Sequence, residues 1–229
     1  MFIGMGIPIP DLSNLPGSSR PGGGGGSAFE YTAIDNSFSM LFDGTGGFET
    51  ESIDLGLENT LCFWAKRSTV DFDGMIFGGL VTSNYYTVFI NNNDRPQYRV
   101  WNGTPAANTF TNTDIQNAFK SSDWFHCAFV RTNGGADVTC YINGEEKETL
   151  TNINGASDNT IIKNLGWRGD GHSVFRVNGY LDEIAAFSTA LSDSTIQAIY
   201  DATANNPGKV ADLSETPEGA PAAWYRMGD

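Results

Sequence analysis

The sequence predicts an all-β protein in which two antiparallel sheets stack as a sandwich or jelly roll. From Phe38 onwards, short runs rich in Val, Ile, Phe, Tyr, Trp and Thr alternate with Gly, Asn and Asp clusters every 8 to 15 residues or so, at roughly the spacing of strands and turns. The 27 glycines and the aromatic content of 12% are typical of a turn-rich chain with large apolar side chains. Only one segment has a clear helical pattern, and it comes late in the chain.

The predicted strands follow the chain in order, and one hairpin stands out among them. Asn143-Gly144 separates two of the strands and favours a two-residue type I′ turn, because both central residues need a positive φ. Residues 145–150 should therefore return antiparallel to 137–142. The predicted strands are 37–42, 48–54, 60–67, 74–80, 85–90, 97–101, 123–131, 137–142, 146–151, 160–166, 173–177 and 179–187.

The single predicted helix begins after Ser192, which suits the N-cap position because its hydroxyl can accept a bond from a free backbone N–H. Asp193 follows in the first turn, where a carboxylate meets the positive end of the helix dipole. The helix should end near Pro207. Its apolar face consists of Ile196, Ile199 and Tyr200.

The composition divides the chain into an arm (1–27), a domain (28–204) and a tail (205–229). The arm contains the glycine run 22–26 and has no apolar periodicity, so we expect a flexible segment. Its first ten residues are nevertheless too apolar for a solvated linker. They predict a docking peptide that becomes ordered on a partner, and a disordered terminus remains the alternative. The predicted anchoring residues are Phe2, Ile3, Ile7 and Ile9.

The tail ends in an aromatic pair, Trp224 and Tyr225. Two large aromatic side chains close together in a polar segment predict that the tail packs against a protein surface. The sequence leaves open whether this is its own sandwich or a neighbouring molecule.

The charge balance excludes one class of partner. The chain has 13 Lys and Arg against 27 Asp and Glu, a formal net charge of −14, whereas nucleic-acid binding needs clustered Lys and Arg. No stretch reaches the roughly 18 apolar residues of a membrane span, and the first ten residues lack the basic region of a signal peptide. We therefore expect neither nucleic-acid nor membrane partners.

The cysteines Cys62, Cys127 and Cys140 have no metal-site spacing, and their number is odd. Cys62 and Cys127 lie in apolar strand-like runs, where a thiol behaves as a small hydrophobic group. We predict buried free thiols.

Four groups of segments carry a family resemblance. They read SMLFDG (39–44), LCFWAK (61–66), WFHCAFV (124–130) with YING (141–144), and GYLDEI (179–184). In this order they resemble the laminin-G-like or concanavalin A-like jelly rolls, which include pentraxins and many carbohydrate-binding modules. The resemblance covers roughly 38–204 and implies two stacked antiparallel sheets, but a fold does not determine a function.

The resemblance also implies a calcium site. Family members often bind calcium near the rim of the sandwich through oxygens of the first turn and the closing strand, and Asp43 and Asp182 stand at the matching positions. Two alternatives stay open: an Asx-turn at Asp43-Gly44, and a hydrogen bond between Asp182 and a neighbouring loop.

Catalysis is not expected. Laminarinase-type relatives carry alternating acidic residues on one strand, whereas here Glu49 and Glu51 share a face and Asp54 falls on the other. His126 lies in an apolar strand, where a core role is expected, and no motif pairs His172 with a nucleophile. A glycanase is therefore the weakest of the functional hypotheses.

A glycan site is the main candidate binding function. Sugar sites in jelly rolls combine an aromatic platform with polar donors and acceptors. Loops supply these residue types, although aromatic residues beside loops can equally serve packing. The candidate residues are Trp101, Trp167, Arg168 and Asp170.

A second resemblance rests on the ends of the chain. The apolar arm with its Gly/Pro/Ser-rich stretch and the closing WYRMGD (224–229) are similar to virion structural proteins of marine tailed bacteriophages. The resemblance implies a non-enzymatic head-decoration or tail-fibre protein, assembled in the host cytoplasm, which attaches to other virion proteins and displays loops towards host glycans, either singly or as a homo-oligomer. The alternative is a free-standing calcium-dependent lectin.

Overall fold

The computed structural model describes residues 7–8, 29–68, 74–81, 84–91, 93–100, 108–167 and 176–227. These residues form two main antiparallel sheets, one two-stranded sheet and two α-helices, so the predicted all-β sandwich is confirmed. No helix in this part of the chain is long and apolar enough to cross a membrane.

The elements follow in chain order. The strands are β1 (Ile7–Pro8), β2 (Ala33–Asp35), β3 (Phe38–Asp43), β4 (Phe48–Asp54), β5 (Asn59–Arg67), β6 (Gly74–Val81), β7 (Asn84–Ile90), β8 (Pro96–Val100), β9 (Asn108–Thr109), β10 (Phe125–Thr132), β11 (Asp137–Ile142), β12 (Glu145–Leu150), β13 (Ile161–Leu165), β14 (Asn178–Phe187), β15 (Lys209–Ala211) and β16 (Ala223–Tyr225). The helices are α1 (Thr113–Lys120) and α2 (Asp193–Ala204).

The larger sheet runs β1-β3-β14-β5-β10-β11-β12, and β16 also pairs with β14. The smaller sheet runs β4-β13-β6-β7-β8-β9, and β2 pairs with β15. The longer predicted strands agree with these elements to within one or two residues. Of the predicted strand 173–177, residues 173–175 lie outside the described part of the chain.

The prediction of a single helix was wrong, because α1 is a second one. Asn112 caps it by accepting a bond from the backbone N–H of Asp114, and Ile115 and Phe119 are buried one turn apart. With only two apolar anchors in eight residues, its periodicity is too short to distinguish it from a loop.

The main core lies between the two sheets. Aromatic and branched side chains from both sheets interdigitate there, as aligned sandwiches require. Cys127 and Cys140 belong to this core, and all three cysteines are buried and free, as predicted. Among the core residues are Leu61, Phe63, Phe77, Val88, Tyr98, Phe129 and Leu181.

Helix α2 covers the outer face of the larger sheet and adds a third layer. The predicted cap is present, since the Ser192 side chain accepts a bond from the N–H of Thr195. Ile196 and Ile199 pack against Cys62 and neighbouring sheet residues. The stripe predicted from the sequence is therefore the buried face of this helix.

The hairpin prediction is confirmed as well. Asn143 and Gly144 have φ angles of 52° and 80° and join β11 to β12. A side chain at Gly144 would place its Cβ 2.8 Å from Gln197 of α2, so the turn also lies against the helix.

The C-terminal residues pack on the chain's own sandwich. β15 pairs with β2, and β16 pairs with Ile184–Ala186 of β14. Trp224 contacts the cluster beneath α2. Of the two possibilities left open by the sequence, the structure shows the first.

Candidate functional site

Two connections and a neighbouring strand meet at one end of the sandwich. The turn after β3 donates from the Gly44 N–H to the Val177 carbonyl (3.0 Å), and the N–H of Val177 donates to Gly166 (2.9 Å). The N–H of Gly166 in turn donates to the Ile76 carbonyl of β6 (3.0 Å). These bonds connect the turn after β3 of the larger sheet to β6 of the smaller sheet. We call this region the Trp167 rim. It comprises Asp43, Thr45, Gly47, Phe48, Trp167 and Arg176.

Trp167 is held at this rim from two sides. Its indole Nε1 donates to the Phe48 carbonyl (3.2 Å), and its backbone forms an antiparallel bridge with Arg176. A Cβ at Gly47 would lie 2.5 Å from Cδ1 of Trp167 and 2.3 Å from the Leu165 carbonyl, so only glycine fits beneath the ring. The indole is only partly buried and has a fixed orientation.

Asp43 forms a local turn at the same rim. Its Oδ1 accepts bonds from the backbone N–H (2.9 Å) and the hydroxyl of Thr45, which is the Asx-turn geometry considered from the sequence. These bonds hold the pKa of the exposed Asp43 carboxyl below its ordinary value. Arg176 donates to the Thr45 carbonyl. The rim therefore carries both an ionised carboxylate and a partly exposed indole.

Asp182 does not join Asp43. The register places Asp43 opposite Asn178, four positions before Asp182 along β14, which amounts to about 13 Å. Asp182 is buried, and its two oxygens accept from Asn36 (2.9 Å) and from the backbone N–H of Glu183 (2.8 Å). Across the described residues, no three His, Cys, Asp or Glu side chains cluster as metal ligands. Calcium binding by either aspartate stays a prediction.

Several predicted site residues lie outside the described residues, namely Trp101, Arg168, Asp170, Phe2, Ile3 and Ile9. In the sequence, Arg168 directly follows Trp167 and Asp170 comes three residues after it. β8 ends at Val100, beside Tyr86 and away from the rim, whereas Ile7 is paired with Ser39 in β1.

The acidic residues of β4 serve surface and turn roles. Glu49 forms an ion pair with Lys163 (2.8 Å), and the Asp54 carboxylate accepts from the N–H of Gly56 (2.9 Å). His126 is buried, and burial lowers its pKa to about 3. Its ring packs on Trp64 with centroids 5.4 Å apart. The structure thus places His126 in the core, as the sequence predicted.

The sequence analysis missed a buried polar cluster around Glu183. The carboxylate accepts from Nε1 of Trp224 (2.6 Å) and from the amide of Asn36 (3.2 Å), and it lies 3.5 Å from Nε of Arg226. Burial, followed by the neighbouring Asp182, raises the pKa of Glu183 to about 8. Its φ of +47° marks a β-bulge that no sequence pattern indicates.

A family model described as the concanavalin A-like lectin/glucanases superfamily matches residues 42–197, more than half of the chain. The chain belongs to this superfamily. The laminin-G-like resemblance of its motifs is therefore confirmed. No curated protein matches the sequence.

Solved structures of the superfamily fold extend the comparison. Domain 4 of AbnA, an extracellular arabinanase from Geobacillus stearothermophilus, in complex with arabinotriose, is 19% identical over 76% of this chain and 81% of that chain (TM-score 0.52). A heptameric SAP-like pentraxin from Limulus polyphemus is 14% identical over 81% and 90% (TM-score 0.51). The receptor binding domain of botulinum neurotoxin mosaic serotype C/D is 16% identical over 76% of this chain but only 45% of its own length (TM-score 0.52). At these identities the likeness shows the fold alone.

Proposed function

We propose that the chain is a non-enzymatic carbohydrate-binding module and that the Trp167 rim is its glycan site. The observation that carries the proposal is the Trp167 indole, which is partly exposed and held by its bond to Phe48, at the same end of the sandwich as the ionised carboxylate of Asp43. An aromatic face packs against the apolar C–H face of a sugar ring, and neighbouring polar groups orient its hydroxyls. Superfamily membership and the arabinotriose complex of the AbnA domain support this assignment.

The rim is organised before a ligand arrives. Three backbone hydrogen bonds join its connections, and Gly47 lets the indole lie directly on the chain. A pre-formed site avoids the entropy cost of ordering loops during binding. This rigidity favours recognition of a weakly interacting ligand such as a short glycan.

Trp167→Ala is expected to weaken glycan binding at least tenfold, about 1.4 kcal/mol, because the stacking platform is lost. Binding is measured with a glycan array and then by calorimetric titration with the best ligand, with arabinotriose included as a probe. Phe38→Ala is the matched control, since Phe38 is an exposed aromatic residue at the far end of β3. Unchanged affinity of the folded Trp167→Ala variant, or equal losses in both variants, would contradict this site.

Calcium dependence belongs to the same proposal. Asp43 retains one carboxylate oxygen that its own turn does not use, and calcium prefers hard oxygen ligands. If calcium bridges the rim and the sugar, a chelator and Asp43→Asn weaken binding to the same extent. If the chelator does not change glycan binding, the calcium proposal is wrong and the proposed glycan site is unaffected.

We further propose that the module is a component of a bacteriophage virion, where its arm contacts other virion proteins. The apolar residues at 1–10, the glycine run 22–26 and the closing WYRMGD support this assignment. Many copies on one particle would make weak glycan contacts effective through avidity. Immunogold electron microscopy of purified particles should show regularly spaced label on heads or tails, whereas label only in the soluble fraction would point to a free lectin.

A further inference from the structure

An Asn-Gly sequence can rearrange without an enzyme. The backbone nitrogen of the glycine attacks the side-chain carbonyl carbon of the asparagine, and the new C–N bond closes a cyclic imide. The amide nitrogen leaves as ammonia, together with the proton of the attacking nitrogen. Water then opens the imide at either carbonyl and leaves aspartate or isoaspartate. Glycine favours the attack because it has no side chain to obstruct its nitrogen.

The chain contains five Asn-Gly sequences, and the structure describes four of them. Ring closure requires that the asparagine side chain turn towards the next backbone nitrogen, so hydrogen bonds on either group oppose it. The reactivity of each site therefore depends on how its two reacting groups are bonded. The described sites are Asn133-Gly134, Asn143-Gly144, Asn154-Gly155 and Asn178-Gly179, whereas Asn102-Gly103 lies outside the described residues.

Two of the four asparagine side chains are bonded to other parts of the chain. Asn143 lies in the turn between β11 and β12, and its Oδ1 accepts from the backbone N–H of His126 (2.9 Å). Asn178 begins β14, and its Oδ1 accepts from the Ser68 hydroxyl (2.8 Å). Each bond must open before the side chain can turn, which slows ring closure by about twofold to tenfold.

At Asn133 both reacting groups are bonded. The side-chain Nδ2 donates to Asp137 (2.9 Å). The N–H of Gly134, which belongs to the attacking nitrogen, donates to Glu58 (2.9 Å). Ring closure at this site requires both bonds to open, so we expect it to be well protected.

Asn154 differs from the other three in both reacting groups. Its side chain is exposed, and within the described residues no hydrogen bond engages its amide oxygen, its amide nitrogen or the N–H of Gly155. The bonds that Asn154 does form use its backbone. Its N–H donates to Oδ1 of Asn108 (3.1 Å), and its carbonyl accepts from Nδ2 of the same residue (3.4 Å). The backbone is thus held in position while the side chain can turn towards Gly155.

We propose that Asn154 is a site of spontaneous modification, where the folded chain converts to aspartate and isoaspartate, and that isoaspartate weakens the connector between β12 and β13. Isoaspartate routes the main chain through the former side chain and so inserts an extra methylene group before Gly155. The carbonyls of Gly155 and Ala156 accept from the buried guanidinium of Arg131 (3.0 and 3.1 Å), and a lengthened backbone displaces these acceptors. The proposal does not depend on the glycan site.

Incubation of the full chain at mildly alkaline pH, followed by peptide mapping with mass spectrometry, tests the site. An isoaspartate-specific methyltransferase quantifies the product in each peptide. Asn154 should convert faster than each of the other three described asparagines, by at least about twofold. Asn154→Gln should abolish conversion in this peptide, because glutamine would have to close a larger and less favourable ring. Asn133→Gln is the matched control and should leave the conversion of Asn154 unchanged.

The denatured chain supplies a second comparison. In concentrated guanidinium chloride the hydrogen bonds of the fold are lost, so the four sites should convert at similar rates. If Asn154 is not the fastest of the four in the folded chain, or if the same ranking persists in the denaturant, the fold does not select this site and the proposal is wrong.

The weakening of the connector has its own measurement. After incubation, the isolated fraction that contains isoaspartate at position 154 should unfold at a lower urea concentration than the fresh chain. Incubated Asn154→Gln should keep the midpoint of its own fresh sample. If the isoaspartate fraction and the fresh chain unfold at the same midpoint, the contacts of Arg131 survive the conversion and this part of the proposal is wrong.

Discussion

Arg131→Met is expected to lower the free energy of unfolding by about 3 to 5 kcal/mol, the range seen when a buried charged network loses a member. Arg131 is fully buried at the end of β10, and its guanidinium donates to the segment that links β12 to β13 and to the turn after β10. The partners are the carbonyls of Gly135 (3.0 Å), Gly155 (3.0 Å), Ala156 (3.1 Å) and Asp158 (2.8 Å) and the hydroxyl of Thr160 (3.1 Å).

Removing this side chain leaves several buried carbonyls without donors, and each unsatisfied group costs about 1 to 3 kcal/mol. Urea unfolding followed by tryptophan fluorescence measures the loss. Arg131→Lys is the matched variant. It keeps the positive charge but lacks the planar guanidinium with its several N–H donors, so it should recover only a minor part of the lost free energy of unfolding. A loss below about 1 kcal/mol for Arg131→Met would mean that water replaces the guanidinium and that the network is not structural.

Glu183→Gln is expected to change the pH dependence of stability. The pKa of Glu183 is about 8 in the folded protein against 4.5 as its ordinary value, so the folded state holds a proton that the unfolded state releases between these pH values. Stability from this group is therefore fully present below about pH 4.5 and is lost as the pH rises through 8, by about 1.4 kcal/mol per pH unit at most. The glutamine variant lacks this slope.

Thermal unfolding of both proteins from pH 5 to pH 9 measures the effect, and the midpoint difference should favour Glu183→Gln increasingly up to about pH 8 and then level off. Glu218→Gln is the control. Although burial opposes it, hydrogen bonds from Thr195 and Ser192 leave the pKa of Glu218 below its ordinary value of 4.5, so its contribution is lost only on acidification below that pH and this variant should show no change of slope between pH 5 and pH 9. Parallel pH curves for Glu183→Gln and the unmodified protein would show that Glu183 is ionised in both states.

The sequence predicted the regular parts of the fold well because their causes are local. Alternating apolar residues located the long strands, Asn143-Gly144 specified its turn, and Ser192 marked the start of α2. The two-residue and three-residue strands at the ends of the chain were missed. Their pairing depends on partners far away in sequence, as when Lys209 pairs with Asp35.

The candidate site was predictable in its residue types but not in its geometry. Trp167 could be chosen because an aromatic residue beside a Gly-rich loop suits a glycan. That Gly47 lies under its ring follows only from the pairing of Phe48 with Leu165. The same kind of register information separates Asp43 from Asp182, which the sequence had placed in one calcium site. Register between distant strands is the information that a single sequence lacks.

The positions of the first and last strands have a mechanical consequence. β5 occupies one side of β14 along most of its length, so β3 and β16 share the other side, and β1 adds to β3. A pull on the two ends of the chain therefore loads ladders of two and three residue pairs before any force reaches β5 and β10. These outer strands are expected to detach first under tension, and the central sheet between them is expected to remain intact.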